Sequence, residues 1–478
     1  MNFIDINKKT KIIATIGPAS DTYEKILHLV KNGANIFRLN FSHGNYEEHL
    51  KRIKIIHEIN EKNNIFIPII LDTKGPEIRI GKLKNNEVFI KKNSTFIICF
   101  ENILGTEKKI SINCHNFFEV IKEKELIKID DGNFIVKVIK KDFNKKELIV
   151  QACNDYLLKN GKNVSAPKQK IKMNFISESD KNDLIFACKN NIDYIAASFT
   201  SKSDDIKSIR KILKENNKPN IQIIAKIENT EALKNINEII KEADGIMVAR
   251  GDLGLKIPLE KVPIYQKNII KRCRQLGKPV IVATQMLNSM QFNPQPTRAE
   301  ISDIFMAVNE SADAIMLSGE TASGLFPCES VTTQKNIAII AEKFLNYKLL
   351  IQQAYETSKK NDNDAIANSI GNATLLIQAK IVIVFTNNKN TIQRISKIRP
   401  FCPIICVTSD KEIALKNGLY WGVYFFVYNR QPQNLDDIKN IVSNITYKLK
   451  IKKNSPIIVA FGLPVPSTTN FMHITYAD

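Results

Sequence analysis

Charged and hydroxyl residues follow several short apolar runs of this chain, where they could bind phosphate and metal ions. Arg38, Asn40 and Ser42 alternate at the end of one run, so they face the same side if that run is a strand. A guanidinium beside two neutral oxygen donors suits a phosphate group next to a hard cation. Asp72 ends another run and could supply an oxygen to the same cation, and Arg79 follows as a second phosphate contact. A helix-capping turn with a surface arginine is the alternative interpretation of the first group.

Two further runs end in carboxylates that could hold a divalent metal ion. Lys226 and Glu228 alternate at the end of one run, and Asp252 follows the next. The lysine and the glutamate could form a buried ion pair, or an electrophile beside a metal ligand. Two carboxylates with room for water and substrate oxygens fit Mg²⁺ or Mn²⁺ better than zinc. Gly251 and Gly254 leave backbone N–H groups accessible to an anion at a helix start.

Eight apolar runs precede these residues or alternate with helical patterns, and they predict the strands of a (β/α)8 barrel. The runs are 11–16, 35–41, 68–73, 194–199, 221–228, 245–250, 279–285 and 314–320. Active sites of such barrels lie at the carboxyl ends of the strands, where Thr284 adds a hydroxyl group. Asp21 and Glu24 have the spacing of a capping box at the first helix, and Gly33 predicts its end.

The barrel pattern is interrupted once and is followed by a different pattern. Between residues 73 and 194 the chain alternates apolar and polar residues, which predicts an all-β insert after the third strand that could act as a lid. From about residue 345, strand-like and helical runs predict a separate α/β domain. We therefore expect an α/β protein with a barrel at 1–74 and 170–344, a β-rich lid at 75–169, and a C-terminal α/β domain at 345–478.

Composition narrows the class of protein further. The 478 residues are 44% hydrophobic and 25% charged, as in ordinary globular proteins. The start has no signal-peptide pattern and no run reaches the ~20 apolar residues of a membrane helix, so we expect a cytoplasmic protein. The eight cysteines are scattered and predict buried free thiols rather than disulfides or a zinc site. The net charge of +20 is spread along the chain, which favours compositional bias over a nucleic-acid-binding surface.

Seven segments resemble the pyruvate kinase family, nearly from end to end of the chain. They read RLNFSHG (38–44), LDTKGPEIR (71–79), KIEN (226–229), DGIMVARGDLG (244–254), ATQML (283–287), PTRAE (296–300) and IMLSGET (315–321). The resemblance implies the same order of barrel, lid and C-terminal domain. It also implies transfer of the phosphoryl group of phosphoenolpyruvate to ADP, with Mg²⁺ or Mn²⁺ and K⁺ as cofactors, in a homotetramer with no nucleic-acid or membrane partner.

The resemblance implies roles for individual residues. It makes Lys226, Arg38 and Thr284 catalytic. It assigns substrate binding to Arg38, Lys226, Gly251, Asp252 and Thr284, and nucleotide binding to His43, Arg79, Lys162 and Asn40. It assigns Mg²⁺ to Glu228 and Asp252, and K⁺ to Asn40, Ser42, Asp72 and the carbonyl of Thr73. The glutamate at position 77 resembles the residue that K⁺-dependent members of the family have there.

Three loops depart from the family pattern. Residues 161–168 read GKNVSAPK where the family usually has KGVNLPG. The resemblance therefore does not extend to lid closure or nucleotide affinity. Residues 386–391 and 466–470 also differ, and these loops bind a sugar-phosphate effector in many relatives.

Two other functions remain as alternatives. A lyase or aldolase acting on pyruvate or phosphoenolpyruvate could use the same Lys226, Glu228 and Asp252, but would need neither the insert nor the K⁺ cluster. ADP-dependent turnover separates it from a kinase. A basic nucleic-acid-binding protein would show salt-sensitive binding without activity.

Overall fold

The computed structural model of the chain describes residues 5–130, 132–166, 174–430, 432–463 and 469–478. Three predicted features fall outside these ranges: the lid boundary at 169–170, Lys168 of the lid loop, and residues 466–468 of the C-terminal loop.

The chain begins with three strands of a parallel barrel and the two helices that connect them. They are β1 (Lys11–Thr15), α1 (Tyr23–Asn32), β2 (Ile36–Asn40), α2 (Tyr46–Asn63) and β3 (Ile69–Asp72). The Thr22 side chain caps α1 by accepting from the Lys25 amide, so the predicted cap at Asp21 is wrong. Asp21 Oδ2 instead forms an ion pair with Arg52 Nη2 at 3.6 Å. Gly33 ends α1 with a φ of 115°, a backbone conformation that glycine adopts without a side-chain clash.

The predicted insert follows β3 and is built almost entirely from strands. Its elements are β4 (Glu87–Ile90), β5 (Thr95–Cys99), β6 (Lys109–Ser111), α3 (Asn116–Val120), β7 (Leu126–Ile129), β8 (Phe134–Asp142), β9 (Glu147–Ala152), β10 (Tyr156–Lys159) and β11 (Val164–Ser165). Six strands form one sheet in the order β11-β7-β8-β9-β5-β6, and β10 pairs with β4. Buried and more exposed residues alternate along β9, because one face of the sheet covers the insert's own apolar core.

The barrel resumes after the insert with five more parallel strands and their helices. They are α4 (Glu178–Lys189), β12 (Tyr194–Ala197), α5 (Ser203–Glu215), β13 (Gln222–Ile227), α6 (Thr230–Lys234), α7 (Ile236–Glu242), β14 (Gly245–Ala249), α8 (Arg250–Lys256), α9 (Val262–Leu276), β15 (Val280–Ala283), α10 (Arg298–Asn309), β16 (Ala314–Leu317), α11 (Gly319–Ala322) and α12 (Pro327–Lys343). The eight strands close in the order β1-β16-β15-β14-β13-β12-β3-β2, which confirms the predicted barrel. Apolar side chains fill its interior and the layer beneath its helices.

The C-terminal domain is a five-stranded α/β sheet, as predicted. It comprises α13 (Tyr347–Glu356), α14 (Asp362–Leu376), β17 (Val382–Phe385), α15 (Lys389–Ile398), β18 (Ile404–Thr408), α16 (Lys411–Lys416), β19 (Val423–Val427), α17 (Leu435–Lys448), β20 (Pro456–Phe461) and β21 (Phe471–Tyr476). The antiparallel edge strand β21 is absent from the sequence-based prediction. A buried ion pair of 2.9 Å between Arg399 and Asp313 joins this domain to the barrel.

Two further expectations concern cysteines and membranes. All eight cysteines are free, and most are buried, but Cys153 is exposed and Cys328 is partly exposed, which corrects the prediction for those two. In the described ranges, no helix has both the length and the apolar character needed to cross a bilayer.

The amino ends of the barrel strands share a repeated hydrogen bond. An Asn or Asp directly before every second strand accepts from the backbone N–H of the preceding strand. The pairs are Asn35 with Ile12, Asp193 with Ile69, Asp244 with Ile223 and Asp313 with Val280, at 2.8–3.1 Å. Each bond satisfies a strand-end amide that would otherwise lack a partner at a buried edge. This end of the barrel therefore stabilises the fold, in contrast to the carboxyl ends.

Asp193→Asn is expected to stabilise the protein at alkaline pH. Burial raises the pKa of Asp193 to about 7, although its bond with the Ile69 amide opposes the shift. A carboxyl group with a raised folded-state pKa destabilises the fold increasingly as pH rises from its unfolded pKa to its folded pKa. Asparagine keeps the acceptor and removes the charge, so the variant should gain about 2 kcal/mol relative to the parent between about pH 5 and about pH 8. Thermal melting at the two pH values measures the gain.

Asp244→Asn is the matched control and should change stability in the opposite direction. Burial alone would raise the pKa of Asp244, but the Lys389 and Arg210 cations lower it below its usual value. Its charge therefore stabilises the fold at both pH values, and its removal should lower Tm at both. If Asp193→Asn also lowered Tm equally at both pH values, burial of the Asp193 charge would not be costly.

Candidate active site

Asp72 lies at the centre of a charged cluster at the carboxyl ends of β2, β3 and β13. Its side chain is 1% exposed and accepts a hydrogen bond of 2.7 Å from Arg38 Nε. Lys226 Nζ donates to the other Asp72 oxygen at 3.0 Å. The two cations lower the pKa of Asp72 although burial alone would raise it. The cluster therefore holds a guanidinium and an ammonium group on the two oxygens of one buried carboxylate.

Lys226 and Glu228 share a face of β13 and its end, as their alternation predicts. Lys226 Nζ lies 3.0 Å from Glu228 Oε1, and both side chains are buried. Burial alone would lower the pKa of Lys226, but the Asp72 and Glu228 carboxylates raise it above its usual value. Lys226 is therefore a stable cation at neutral pH rather than a base.

The other oxygen of Glu228 is oriented by an unusual backbone conformation. The Phe199 amide donates to Glu228 Oε2 at 2.5 Å, and Phe199 has a φ of 56°. A positive φ is rare for an aromatic residue and is found where surrounding structure imposes it, often at functional sites. The bond leaves the other oxygen, Glu228 Oε1, to the Lys226 ammonium group.

Glu228 and Asp252 together fit a divalent metal ion. The pKa of Glu228 is raised, first by burial and also by the negative charge of Asp252, although Lys226 opposes the shift. Glu228 Oε1 is buried and contacts the Lys226 ammonium group at 3.0 Å, so a metal ion would share this oxygen with the lysine or displace it. Within the described ranges, no three His, Cys, Asp or Glu residues gather around a possible metal position. Two carboxylates completed by substrate oxygens and water match the binding mode of Mg²⁺.

The four predicted K⁺ ligands lie at the ends of the adjacent strands β2 and β3. Asn40 and Asp72 are paired across the two strands. The Asn40 side-chain oxygen accepts from the Ser42 amide at 3.1 Å, so Ser42 lies beside it. The Thr73 carbonyl accepts from the Ser198 hydroxyl at 2.7 Å. All the proposed oxygens therefore lie at one corner of the mouth, next to Arg38.

Ser198 belongs to this cluster although the sequence analysis gave it no role. Its hydroxyl lies 2.7 Å from Lys226 Nζ, 2.7 Å from the Thr73 carbonyl and 3.2 Å from Asp72 Oδ1. The hydroxyl thus connects the K⁺ corner with the lysine. Its position directly after β12, at the carboxyl end of a barrel strand, was the signal that could have identified it.

Thr284 and Gly251 contact one another on the other side of the mouth. The Gly251 amide, in the first turn of α8, donates to Thr284 Oγ1 at 2.9 Å. Thr284 has a φ of 71°, which is strained for a β-branched residue. Arg250, another residue without a predicted role, donates to the Thr284 carbonyl at 2.7 Å and pairs with Asp303 at 2.6 Å. These contacts fix the hydroxyl beside the N–H groups of Gly251 and Asp252.

The predicted nucleotide residues lie between the barrel and the insert. Arg79 pairs with Glu77 at 2.5 Å and donates to the Gly161 carbonyl at 2.6 Å. Lys162 pairs with Asp130 at 3.0 Å. The pKa of His43 is lowered, first by partial desolvation and then by the nearby Arg79, Arg38 and Lys162 cations. His43 of the barrel therefore lies in the positive field of Arg38 and of the two cations of the insert.

Comparison with known proteins gives the same family over almost the whole chain. The family model for the pyruvate kinase barrel domain matches residues 7–331, and that for the pyruvate kinase alpha/beta domain matches residues 364–475. A pyruvate kinase of Clostridium acetobutylicum is 42% identical over 474 residues, covering 98% of this chain and 100% of that protein. A pyruvate kinase of Geobacillus stearothermophilus is 40% identical over 474 residues, covering 98% of this chain and 80% of that protein.

A solved structure agrees with these matches. A crystal structure of a pyruvate kinase from Cryptosporidium parvum superposes with a TM-score of 0.88 at 34% identity, covering 99% of this chain and 97% of the other. Both domain models, the relatives and the structural neighbour therefore agree on one family. The chain belongs to the pyruvate kinase family and is a phosphotransferase.

Proposed function

We propose that this chain transfers the phosphoryl group of phosphoenolpyruvate to ADP at the carboxyl ends of the barrel strands, with Arg38 and Lys226 as the groups that stabilise the phosphoryl in transfer. The observation that carries the proposal is the position of both cations on one buried carboxylate, Asp72, at 2.7 and 3.0 Å. Phosphoryl transfer spreads negative charge over the oxygens of the moving group, and fixed cations lower the energy of that state. The ion pairs with Asp72 hold the two cations in place before substrate binds.

Glu228 and Asp252 are proposed to hold Mg²⁺ or Mn²⁺ against the substrate. When bound, the divalent ion supplies charge that favours negative oxygens on the substrate. Glu228 contributes a buried oxygen that is already oriented by its bond to the Phe199 amide. The N–H groups of Gly251 and Asp252 are proposed to receive the substrate carboxylate, since they open α8 at its positive end.

Asn40, Ser42, Asp72 and the Thr73 carbonyl are proposed to hold K⁺. Their oxygens lie at the ends of β2 and β3, directly beside Arg38. A hard monovalent cation suits such a set of amide, hydroxyl, carboxylate and carbonyl oxygens. The Ser198 hydroxyl would have to release the Thr73 carbonyl or share it with the cation.

The remaining predicted residues are proposed to act on one substrate each. Thr284 acts at phosphoenolpyruvate, and the nucleotide is bound by His43, Arg79 and Lys162. Thr284 lies beside the proposed carboxylate site and is proposed to face the carbon that receives a proton. His43, Arg79 and Lys162, together with Asn40, are proposed to bind the nucleotide phosphates, since both lid cations and Arg38 act on His43. Binding of a nucleotide would draw Arg79 and Lys162 from their present partners, Glu77 and Asp130.

Further proposals follow from the family. The domains are proposed to extend over 1–74 and 170–344 for the barrel, 75–169 for the lid and 345–478 for the C-terminal domain; three separate groups of apolar cores support this division. A homotetramer in the cytoplasm, without nucleic-acid or membrane partners, is proposed as well.

Pyruvate formation from phosphoenolpyruvate and ADP, with Mg²⁺ and with or without K⁺, tests the proposed function. We expect ADP-dependent pyruvate formation that rises with K⁺. Activity that ignores K⁺ would retain the reaction and contradict the proposed K⁺ site and the role of Glu77. Pyruvate formation without ADP, with release of inorganic phosphate, would indicate transfer to water and contradict the kinase reaction. No turnover in either buffer would also contradict the proposal.

A further inference from the structure

A second cavity with a strong positive character lies between the barrel and the C-terminal domain. It has a volume of about 120 Å³ and is lined by α9, α13 and α15. The carboxyl end of α9 contributes Lys271 and Arg274, α13 contributes Gln353, and the last turn of α15 contributes Lys397. Because α9 ends just before the start of β15, the cavity lies at the amino ends of the strands, opposite the active site.

Arg274, the buried cation of this cavity, lacks the carboxylate partner that a buried charge normally has, whereas Lys271 is exposed and Lys397 is partly exposed. Arg274 is only 9% exposed, and its guanidinium donates to the neutral side-chain oxygen of Gln353. Lys397 Nζ donates to the Thr357 carbonyl at 3.1 Å. In the part of the chain that the structure describes, neither of these residues nor Lys271 forms an ion pair. A buried arginine without a carboxylate is unusual, since removing its charge from water is costly unless an anion compensates.

Neighbouring cations add to the positive charge around Arg274 and Lys397. The pKa of Arg274 is lowered to about 10, first by burial and then by the Arg399 cation, while Asp313 opposes the shift. Arg399 itself forms an ion pair with Asp313 at 2.9 Å. The pKa of Lys397 is lowered mainly by burial, and the Lys359 and Arg274 cations add to this effect while Asp364 opposes it. Glu356 also lines the cavity, but it forms no ion pair there.

We propose that this cavity binds a phosphate-sized oxyanion, either free phosphate or the phosphoryl group of a small ester. A planar guanidinium and two ammonium groups around a space of this size match the charge and hydrogen-bond acceptors of such an anion. The anion would bridge a barrel helix and two helices of the C-terminal domain. It would therefore stabilise the relative position of the two domains without contacting the reacting groups.

Titration calorimetry with inorganic phosphate on the full chain, in buffer without divalent ions, tests the site. We expect one phosphate per chain, and at least tenfold weaker binding in the double variant Lys271→Ala, Lys397→Ala. Lys348→Ala removes an exposed lysine of α13 outside the cavity and should bind like the parent. Binding that the double variant loses and that Lys348→Ala retains assigns the anion to this cavity rather than to the barrel mouth.

The two lysines are better targets than Arg274, because they are less buried and their loss should not prevent folding. Glycerol phosphate serves as the ester probe. Binding of inorganic phosphate alone identifies a free anion site, and binding of glycerol phosphate identifies an ester site; both support the proposal. Absence of binding by either probe, or equal binding in the double variant, overturns it. A rise in Tm with phosphate that the double variant loses provides an independent measure.

Discussion

Lys226→Met is expected to lower kcat by about 10³-fold or more while divalent-ion binding persists. The ammonium group lies 3.0 Å from Asp72 and 3.0 Å from Glu228, and its raised pKa keeps it charged. Methionine fills a similar volume without the charge, so the moving phosphoryl group loses one of its two fixed cations. Glu228 and Asp252 remain to hold the divalent ion. Steady-state turnover and a Mn²⁺ titration measure the two effects separately.

The thermal stability of Lys226→Met should also change, because the variant lacks the ion pairs that Lys226 forms. Loss of the lysine leaves Glu228 buried without its cation, so Tm should fall in the absence of a divalent ion. Addition of Mg²⁺ should restore part of the loss, because a second cation then compensates Glu228. Lys278→Met is the control and should retain kcat, since Lys278 precedes β15 and donates to the backbone carbonyls of Lys241 and Ala243. Full activity in Lys226→Met would exclude the catalytic role of Lys226.

Asp72→Asn is expected to abolish activation by K⁺ and to lower kcat by about 10²-fold. Asparagine has the same shape but no charge, so Arg38 and Lys226 would lose the carboxylate that both now contact. Two undercompensated cations disfavour a third cation at the adjacent corner, and K⁺ would also lose a charged ligand. Turnover measured across a range of K⁺ concentrations tests the expectation.

Glu228→Gln is the matched comparison for Asp72→Asn, since both changes neutralise a buried carboxylate that contacts Lys226. This variant should raise the Mg²⁺ concentration needed for half-maximal activity and keep the response to K⁺. The two variants therefore separate the proposed metal sites. A normal K⁺ response in Asp72→Asn, or a normal Mg²⁺ requirement in Glu228→Gln, would contradict the corresponding assignment.

The strand positions were predictable because their signal is local. Each barrel strand is a short, continuously apolar run, which is typical of parallel strands buried on both faces. The insert was predictable from its change to an alternating pattern. The edge strand β21 was not, because its residues Phe471–Tyr476 are partly or fully exposed and show no clear alternation in burial. β21 is recognisable as a strand only from its pairing with β20, a separate segment that ends at Phe461.

The sequence by itself determined the family, the order of the domains and the chemical types of the residues at each strand end. Only the tertiary structure decided which of those residues contact one another. Asp72 meets Arg38 across 34 residues and Lys226 across 154, and no local pattern contains either pairing. The positive φ of Phe199 and the place of Ser198 also follow from closure of the barrel. Local alternation sets the direction of a side chain along its strand, whereas its partners depend on which strands become neighbours when the barrel closes.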